Sequence, residues 1–205
     1  MKHFLKFLPL LACLMVTPAR GADVPKVKVL DQFNTIDPKT LKSIEAKIKI
    51  VPTPDAAHNK VLEMVADFAK PGAWVGVMKM FPAGTINPKK YSAIRFFARS
   101  NSGTRMNVDV ATEAVAPDGG PTGYYGGTIT GTEEWTEITI PLSNFKRQGA
   151  KFWKDGKQMI FQGGEPLDDE KCKNLNRIYF STSVEGRGTS TVGHFMIDGL
   201  VLVEK

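Results

Sequence analysis

Aromatic and polar side chains that could bind a ligand recur along the middle of the chain. Tyr124 and Tyr125 stand between glycines, and Trp153 follows in a lysine-rich stretch. Four polar candidates occupy outward positions of two predicted strands: Arg95, Arg99, Asn107 and Asp109. Aromatic rings can stack on the apolar faces of sugar rings, and polar side chains of these types can hydrogen-bond adjacent hydroxyl groups. The set predicts ligand binding by stacking and hydrogen bonding.

An alternative interpretation of the same residues is purely structural. Arg95 and Arg99 could pair with Asp109 and Glu113 on a solvated face, where ion pairs contribute little stability. The two adjacent tyrosines could cover an edge of the core, and Trp153 could anchor its own loop. The other two tryptophans open apolar strands, so we expect them in the core.

The sequence gives little evidence for a catalytic site. The sequence contains no G-x-S-x-G, H-E-x-x-H, Walker or dinucleotide-binding motif. His58 and His194 are far apart and lack a neighbouring cysteine or histidine that could complete a metal site. Asp109 and Glu113 on one strand would lie about 13 Å apart, too far for the paired carboxylates of a glycosidase. We therefore expect a non-catalytic protein.

Residues 1–21 have the features of a secretory signal peptide. Lys2 and Lys6 precede a short apolar stretch, and Ala19-Arg20-Gly21 fits a small-x-small cleavage site. The apolar stretch is shorter than the roughly 20 residues of a membrane-spanning helix. We predict secreted or periplasmic localisation and a single mature domain, 22–205, with no integral membrane segment. Lipidation at Cys13, which would produce a lipoprotein, is the alternative.

Removal of the signal peptide changes the charge and the cysteine count. The net charge falls from +6 to +3, because the segment contains three basic and no acidic residues. So small an excess does not predict nucleic-acid binding. The basic residues of 146–157 either lie in a solvated loop or give the protein a weak preference for acidic ligands. Cys172 remains as a lone thiol, which we expect to be buried or unreactive.

The elements that must position these residues are short strands separated by glycine and proline turns. Alternating apolar residues predict strands over 27–33, 46–51, 61–69, 74–81, 91–99, 105–113, 124–129, 134–140, 177–184 and 194–203. We predict a helical turn over 38–44, a hairpin that joins 61–69 to 74–81, and an irregular stretch over 143–174. This pattern predicts an all-β fold, a two-sheet antiparallel β-sandwich of the jelly-roll type.

Five motifs follow one another along the chain. They are Val-Leu-Asp-Gln-Phe at 29–33, Trp-Val-Gly-Val at 74–77, the segment 86–99 that ends in Ile-Arg-Phe-Phe-Ala-Arg, the segment 132–145 that contains Ile-Pro-Leu-Ser, and Ile-Asp-Gly-Leu within 195–202. Their order resembles the galactose-binding-like β-sandwich domains found as carbohydrate-binding modules. The complex-I intermediate-associated assembly factors share that pattern.

The resemblance implies a secreted, non-catalytic domain that binds a poly- or oligosaccharide. The first alternative is an envelope protein that binds or assembles another protein on the same sandwich. A further alternative is an enzyme whose paired carboxylates come from different strands. An open polar face with exposed tyrosines favours the glycan, and a contiguous apolar patch favours a protein partner.

The resemblance also implies a structural calcium ion near the first and last strands. Asp31 and Asp198 match the acidic positions of the family. Calcium takes six to eight oxygen ligands, which two carboxylates and backbone carbonyls could supply. Alternatively, Asp198 could cap a turn before Gly199.

Overall fold

The computed structural model describes residues 25–69, 74–101, 103–113, 116, 118–183 and 192–205. For Trp74, Phe152 and Lys154 the structure describes the backbone but not the side chain. The predicted signal peptide and Cys13 lie outside the described residues. In the described part of the chain, no helix has the length and apolar character needed to span a membrane.

The described residues form fourteen β-strands and one short helix. The strands are β1 (Val27–Asp31), β2 (Leu41–Ile44), β3 (Lys47–Pro52), β4 (Lys60–Asp67), β5 (Trp74–Met80), β6 (Tyr91–Ser100), β7 (Arg105–Ala111), β8 (Gly123–Thr130), β9 (Thr136–Pro141), β10 (Lys146–Arg147), β11 (Ala150–Lys154), β12 (Lys157–Phe161), β13 (Arg177–Ser183) and β14 (Val192–Glu204). The helix α1 (Asp169–Cys172) and two 3₁₀ turns, Ala56–His58 and Leu142–Asn144, complete the elements.

Two antiparallel sheets of six strands each form a sandwich. Sheet A has the order β3-β4-β14-β6-β9, and β1 also pairs with β14. Sheet B has the order β10-β8-β7-β13-β5-β2. Strands β11 and β12 form a separate hairpin. The architecture confirms the predicted all-β, two-sheet antiparallel sandwich.

The core lies between the two sheets. In β6, Ile94 and Phe96 are fully buried, and the Phe96 ring meets Phe180 of β13 edge-on at 5.0 Å. In β7, Met106, Val108 and Val110 face the same core. Because side chains alternate along a strand, the residues between these positions point out of the sandwich. Each sheet therefore has an inner face in the core and an outer face.

The predicted hairpin between 61–69 and 74–81 is wrong. Strand β4 lies in sheet A beside β3 and β14, whereas β5 lies in sheet B beside β13 and β2. Both strands are rich in apolar residues, and that pattern does not distinguish hydrogen-bonded neighbours from strands that face each other across a core. The predicted helical turn is also shorter than expected, because residues 38–40 form a turn and β2 begins at Leu41.

Candidate functional site

The outer face of sheet B brings together most of the polar candidates. Asn107 and Asp109 point to this face, because Val108 between them is buried in the core. Strand β13 lies beside β7 in the same sheet. Tyr179 and Ser181 of that strand therefore extend the polar face.

The strand register arranges these residues in rows across the sheet. Asp109 lies opposite Tyr125 of β8 on one side and opposite Tyr179 of β13 on the other. Lys146 of β10 continues this row beyond Tyr125. Directly opposed side chains on one face have Cβ atoms about 4.5–5.5 Å apart. A carboxylate therefore stands between two tyrosines in a row that crosses the strands.

Asp109 is an unusually buried carboxylate for an outer face, with 7% of its surface exposed. Gln148 Nε2 donates a hydrogen bond of 2.8 Å to Asp109 Oδ1. Burial raises the pKa of Asp109 to about 6, and the hydrogen bond from Gln148 opposes that rise. Within the described contacts, the second carboxylate oxygen, Oδ2, receives no hydrogen bond and can accept one from a ligand.

Tyr125 is the exposed aromatic residue of this face, with 38% of its surface accessible. Its hydroxyl is hydrogen-bonded to Thr128 Oγ1, which donates a bond of 2.8 Å to Asn107 Oδ1. This chain of hydroxyls and an amide holds the phenol ring in place. In the next row of the sheet, Ser181 Oγ is buried without a hydrogen-bond partner in the described structure.

Tyr124 does not share this face, so its predicted place in one platform with Tyr125 is wrong. Only 7% of Tyr124 is exposed, and the ring packs in the core. Adjacent residues of a strand point to opposite faces, which separates the two tyrosines. Trp153 lies on the β11–β12 hairpin with 72% of its surface exposed.

Arg95 and Arg99 lie on the outer face of sheet A, on the far side of the sandwich from Asp109. The expectation that they share a face with Asn107 and Asp109 is therefore wrong. The physical reason is that β6 and β7, although consecutive, belong to different sheets. Arg95 Nη1 is 4.0 Å from Glu137, and the Arg99 guanidinium lies 5.6 Å from the Trp135 ring centre.

The ion pairs that the alternative interpretation placed between these arginines and Asp109 or Glu113 do not form. Glu113 pairs with Arg177 instead, and Asp109 is held by Gln148. Trp135, expected in the core, is half-buried on the outer face of sheet A. It stacks there on the His58 ring at a centre-to-centre distance of 4.3 Å.

Asp31 and Asp198 do not form the acidic pair that a shared calcium ion would need. Asp31 Oδ2 is 2.5 Å from Lys79 Nζ, and Asp198 Oδ2 is 2.9 Å from His58 Nδ1. Each carboxylate is thus engaged by a different nitrogen donor. The described residues contain no group of three or more His, Cys, Asp or Glu that could hold a metal ion. The residues present do not fit the calcium site that the resemblance implied.

Cys172, the free cysteine of the described residues, has the properties of an unreactive thiol. Cys172 is buried, and burial together with the nearby carboxylates of Asp168 and Asp169 raises its pKa to about 11. The thiol is therefore protonated at neutral pH and is a poor nucleophile.

Sequence reasoning missed Gln148 and Thr128, which position the two central side chains of the face. Gln148 reaches Asp109 because its backbone nitrogen bonds to the carbonyl of Gly123, at the start of β8. No local pattern reports such a long-range contact. Thr128 could have been found, because it is on the same strand as Tyr125 and lies opposite Asn107.

No family model matches the chain, and no curated protein matches it in sequence. Several solved structures share its fold. The family 11 carbohydrate-binding module of the cellulosomal cellulase Lic26A-Cel5E of Clostridium thermocellum has a TM-score of 0.59 at 20% identity, covering 89% of this chain and 96% of that one. A family 11 module from Clostridium thermocellum in complex with a β-1,3-1,4-mixed-linked tetrasaccharide has a TM-score of 0.59 at 21% identity, covering 86% and 95%.

An exo-β-agarase matches with a TM-score of 0.57 at 13% identity. The alignment covers 87% of this chain but 25% of the agarase. At these identities the similarity shows the fold, a β-sandwich like that of carbohydrate-binding modules. The resemblance to complex-I intermediate-associated assembly factors stays a prediction.

Proposed function

We propose that this protein is a secreted, non-catalytic domain that binds a poly- or oligosaccharide on the outer face of sheet B. The observation that supports this most directly is the row in which Asp109 stands between Tyr125 and Tyr179. The similarity of the fold to carbohydrate-binding modules supports the same ligand class. The predicted signal peptide would deliver the domain to the compartment where such polymers occur.

The binding mechanism follows from the side chains in the row. The exposed ring of Tyr125 stacks on the apolar face of a sugar ring. Asp109 Oδ2 accepts a hydrogen bond from a hydroxyl of the same or the next sugar, while Gln148 holds Oδ1. Neighbouring strands are about 4.8 Å apart, so a chain that crosses them meets one row residue after another.

A second candidate function is binding to another protein of the envelope, and one observation favours it. The β11–β12 hairpin exposes 72% of Trp153 and 52% of Ile160. In the register of the hairpin, Trp153 pairs with Gln158 and Ile160 with Lys151, which places both apolar residues on one face. Exposed apolar residues that adjoin on one face are typical of protein contacts.

Affinity gel electrophoresis of residues 22–205 in the presence of soluble polysaccharides tests the glycan proposal. The panel includes mixed-linkage β-glucan and agarose, with and without EDTA. We expect one polysaccharide to retard the protein, Tyr125→Ala to remove the retardation, and Arg95→Ala on the opposite sheet to preserve it.

The two variants also separate the alternatives. Loss of retardation in Arg95→Ala but not in Tyr125→Ala would move the site to sheet A. A folded protein that no polysaccharide retards would contradict the glycan proposal. A pull-down that compares the unaltered chain with Trp153→Ala would then test the protein partner.

A further inference from the structure

A cavity of about 340 Å³ opens beside Tyr124, at the edge of sheet B. Tyr124 and Arg147 are opposite each other in the β8–β10 pairing, and both line the cavity. Other described lining residues come from the segments that follow β7 and β12, and from α1 and the residues after it: Thr112, Asp118, Glu165 and Lys171. The cavity is therefore distinct from the outer face, where Tyr125 points.

The hydroxyl group of Tyr124 is a polar group without a partner at this cavity. The ring is buried in the core, with 7% of the residue exposed, and the described contacts include no hydrogen bond to its hydroxyl. Burial raises the pKa of this phenol, while the charges of Lys171 and Arg147 lower it. The hydroxyl oxygen is not among the buried polar atoms that lack a partner, so it is open to the cavity and a ligand there can bond to it.

Two fixed ion pairs form the polar wall of the cavity. Arg147 donates two hydrogen bonds to Asp118, Nη2 to Oδ1 at 2.7 Å and Nη1 to Oδ2 at 2.8 Å. Lys171 Nζ lies 3.1 Å from Asp168 Oδ2. Each cation is thus already paired with a carboxylate.

Glu165 forms ion pairs with both cations, but the distances are too long for a hydrogen bond. Its Oε2 atom lies 3.7 Å from Arg147 Nη1 and 3.7 Å from Lys171 Nζ. Both distances exceed that of a hydrogen bond. A hydroxyl group that approaches from the cavity can donate to Glu165 and accept from one of the cations, and hydrogen bonds to charged groups are stronger than those between neutral groups.

We propose that this cavity binds a single neutral sugar residue, or another small compound with adjacent hydroxyls, through Tyr124, Glu165, Arg147 and Lys171. The three carboxylates, Asp118, Asp168 and Glu165, outnumber the two cations by one, which disfavours an anionic ligand. The volume is near the lower end of the roughly 300–1,000 Å³ typical of small-molecule sites, which suits one ring rather than a chain. The sugar residue that binds is either a free monosaccharide or the terminal residue of a longer glycan chain.

Titration of residues 22–205 with monosaccharides, followed by NMR chemical shifts and calorimetry, tests the proposal. The probes are glucose, galactose, mannose and xylose, with glucuronate as a charged comparison. Tyr124→Phe preserves the buried ring and removes only the hydroxyl, so the fold should be retained. We expect it to weaken binding of one neutral sugar about 3- to 10-fold, the effect of one lost hydrogen bond.

Three controls make the outcome decisive. Tyr91→Phe changes a buried tyrosine outside the cavity and should leave monosaccharide affinity unchanged, and Tyr125→Ala reports whether the sugar binds to the outer face instead. A methyl glycoside and an oligosaccharide with a reduced end distinguish a free sugar from a chain end. Saturable binding that is lost in Tyr125→Ala but retained in Tyr124→Phe would overturn this inference and support the outer face.

The proposed glycan function and this inference fail separately. No shift of cavity resonances with any neutral sugar, or stronger binding of glucuronate, would overturn the cavity proposal while polysaccharide retardation still supports the outer face. Conversely, monosaccharide binding that requires the Tyr124 hydroxyl would support the cavity even if no polysaccharide is retarded.

Discussion

Gln148 Nε2 donates a 2.8 Å hydrogen bond to Asp109 Oδ1, and this contact holds a buried carboxylate on the outer face of sheet B. The hydrogen bond only partly offsets the desolvation of the carboxylate, because the pKa of Asp109 stays raised, at about 6. Burial of an ionised carboxylate destabilises the folded protein. A carboxylate that is nevertheless buried between two tyrosines is typical of a functional site that is retained at the expense of stability.

The first prediction concerns the dependence of stability on pH. The pKa of Asp109 rises from 3.8 to about 6 on folding. Well below about pH 4 the carboxyl is protonated in both the folded and the unfolded state. As pH rises to about 6, the carboxyl ionises first in the unfolded chain, which stabilises the unfolded state relative to the folded one. The free energy of unfolding should therefore fall across this window, by up to about 3 kcal/mol, and then level off.

Asp109→Asn should remove this loss of stability at higher pH, because the amide does not ionise. Its amide oxygen can still accept the hydrogen bond from Gln148. Urea denaturation should show a gain in stability at about pH 8 and almost none at about pH 3.5. Asp118→Asn is the control of opposite sign, because its hydrogen bonds from Arg147 lower the pKa of Asp118 to about 2. A less stable Asp109→Asn protein at pH 8 would show that the ionised carboxylate stabilises the fold.

The second prediction concerns Gly126, the residue after Tyr125. A Cβ atom at Gly126 would collide with the Phe145 ring, which is fully buried and cannot move away. Gly126→Ala should destabilise the protein by about 1–3 kcal/mol, the usual cost of overpacking. At about 2–4 °C per kcal/mol, calorimetry should record a clearly lower melting temperature.

Removal of the collision partner provides the control. Phe145→Leu alone should also destabilise the core, because it leaves a cavity. In the double variant the smaller side chain makes room for the new methyl group, so the two losses should sum to more than the measured loss. Strictly additive losses would indicate that Gly126 is needed for its backbone rather than for this close approach.

The fold class was predictable because alternation of apolar residues reports which face of each strand is buried. In β6, Ile94 and Phe96 are buried as that pattern requires. The same pattern does not report which sheet a strand joins, so Arg99 and Asp109 were placed on one face although they lie on opposite sides of the sandwich. The opposite directions of Tyr124 and Tyr125 did follow from strand alternation and could have been predicted.

The stretch 143–174 shows why other parts of the site could not be predicted. Strand β10 has two residues, too few for any periodicity, yet it places Lys146 opposite Tyr125. Gln148 reaches Asp109 only because this short strand completes the edge of sheet B. These contacts depend on pairing between distant segments, which one sequence does not reveal.

The third prediction is that calcium does not stabilise the folded protein. The carboxylate of Asp31 is paired with Lys79, and the carboxylate of Asp198 is paired with His58. The melting temperature should therefore be the same with excess calcium and with EDTA. Asp198→Ala leaves the buried His58 without its acceptor and should cost about 1–3 kcal/mol in both conditions. A higher melting temperature in calcium, abolished by Asp198→Ala, would restore the calcium site.

The last prediction separates stacking from hydrogen bonding on the outer face of sheet B. Tyr125→Phe keeps the exposed ring and removes only the hydroxyl that bonds to Thr128. If the ring stacks on a sugar, polysaccharide affinity should change less than about 3-fold in Tyr125→Phe and fall about 10-fold or more in Tyr125→Ala. Thr128→Val, which breaks the same hydrogen bond from the other side, should behave like Tyr125→Phe. Equal losses in the Phe and Ala variants would mean that the hydroxyl binds the ligand, and stacking would be excluded as the source of affinity.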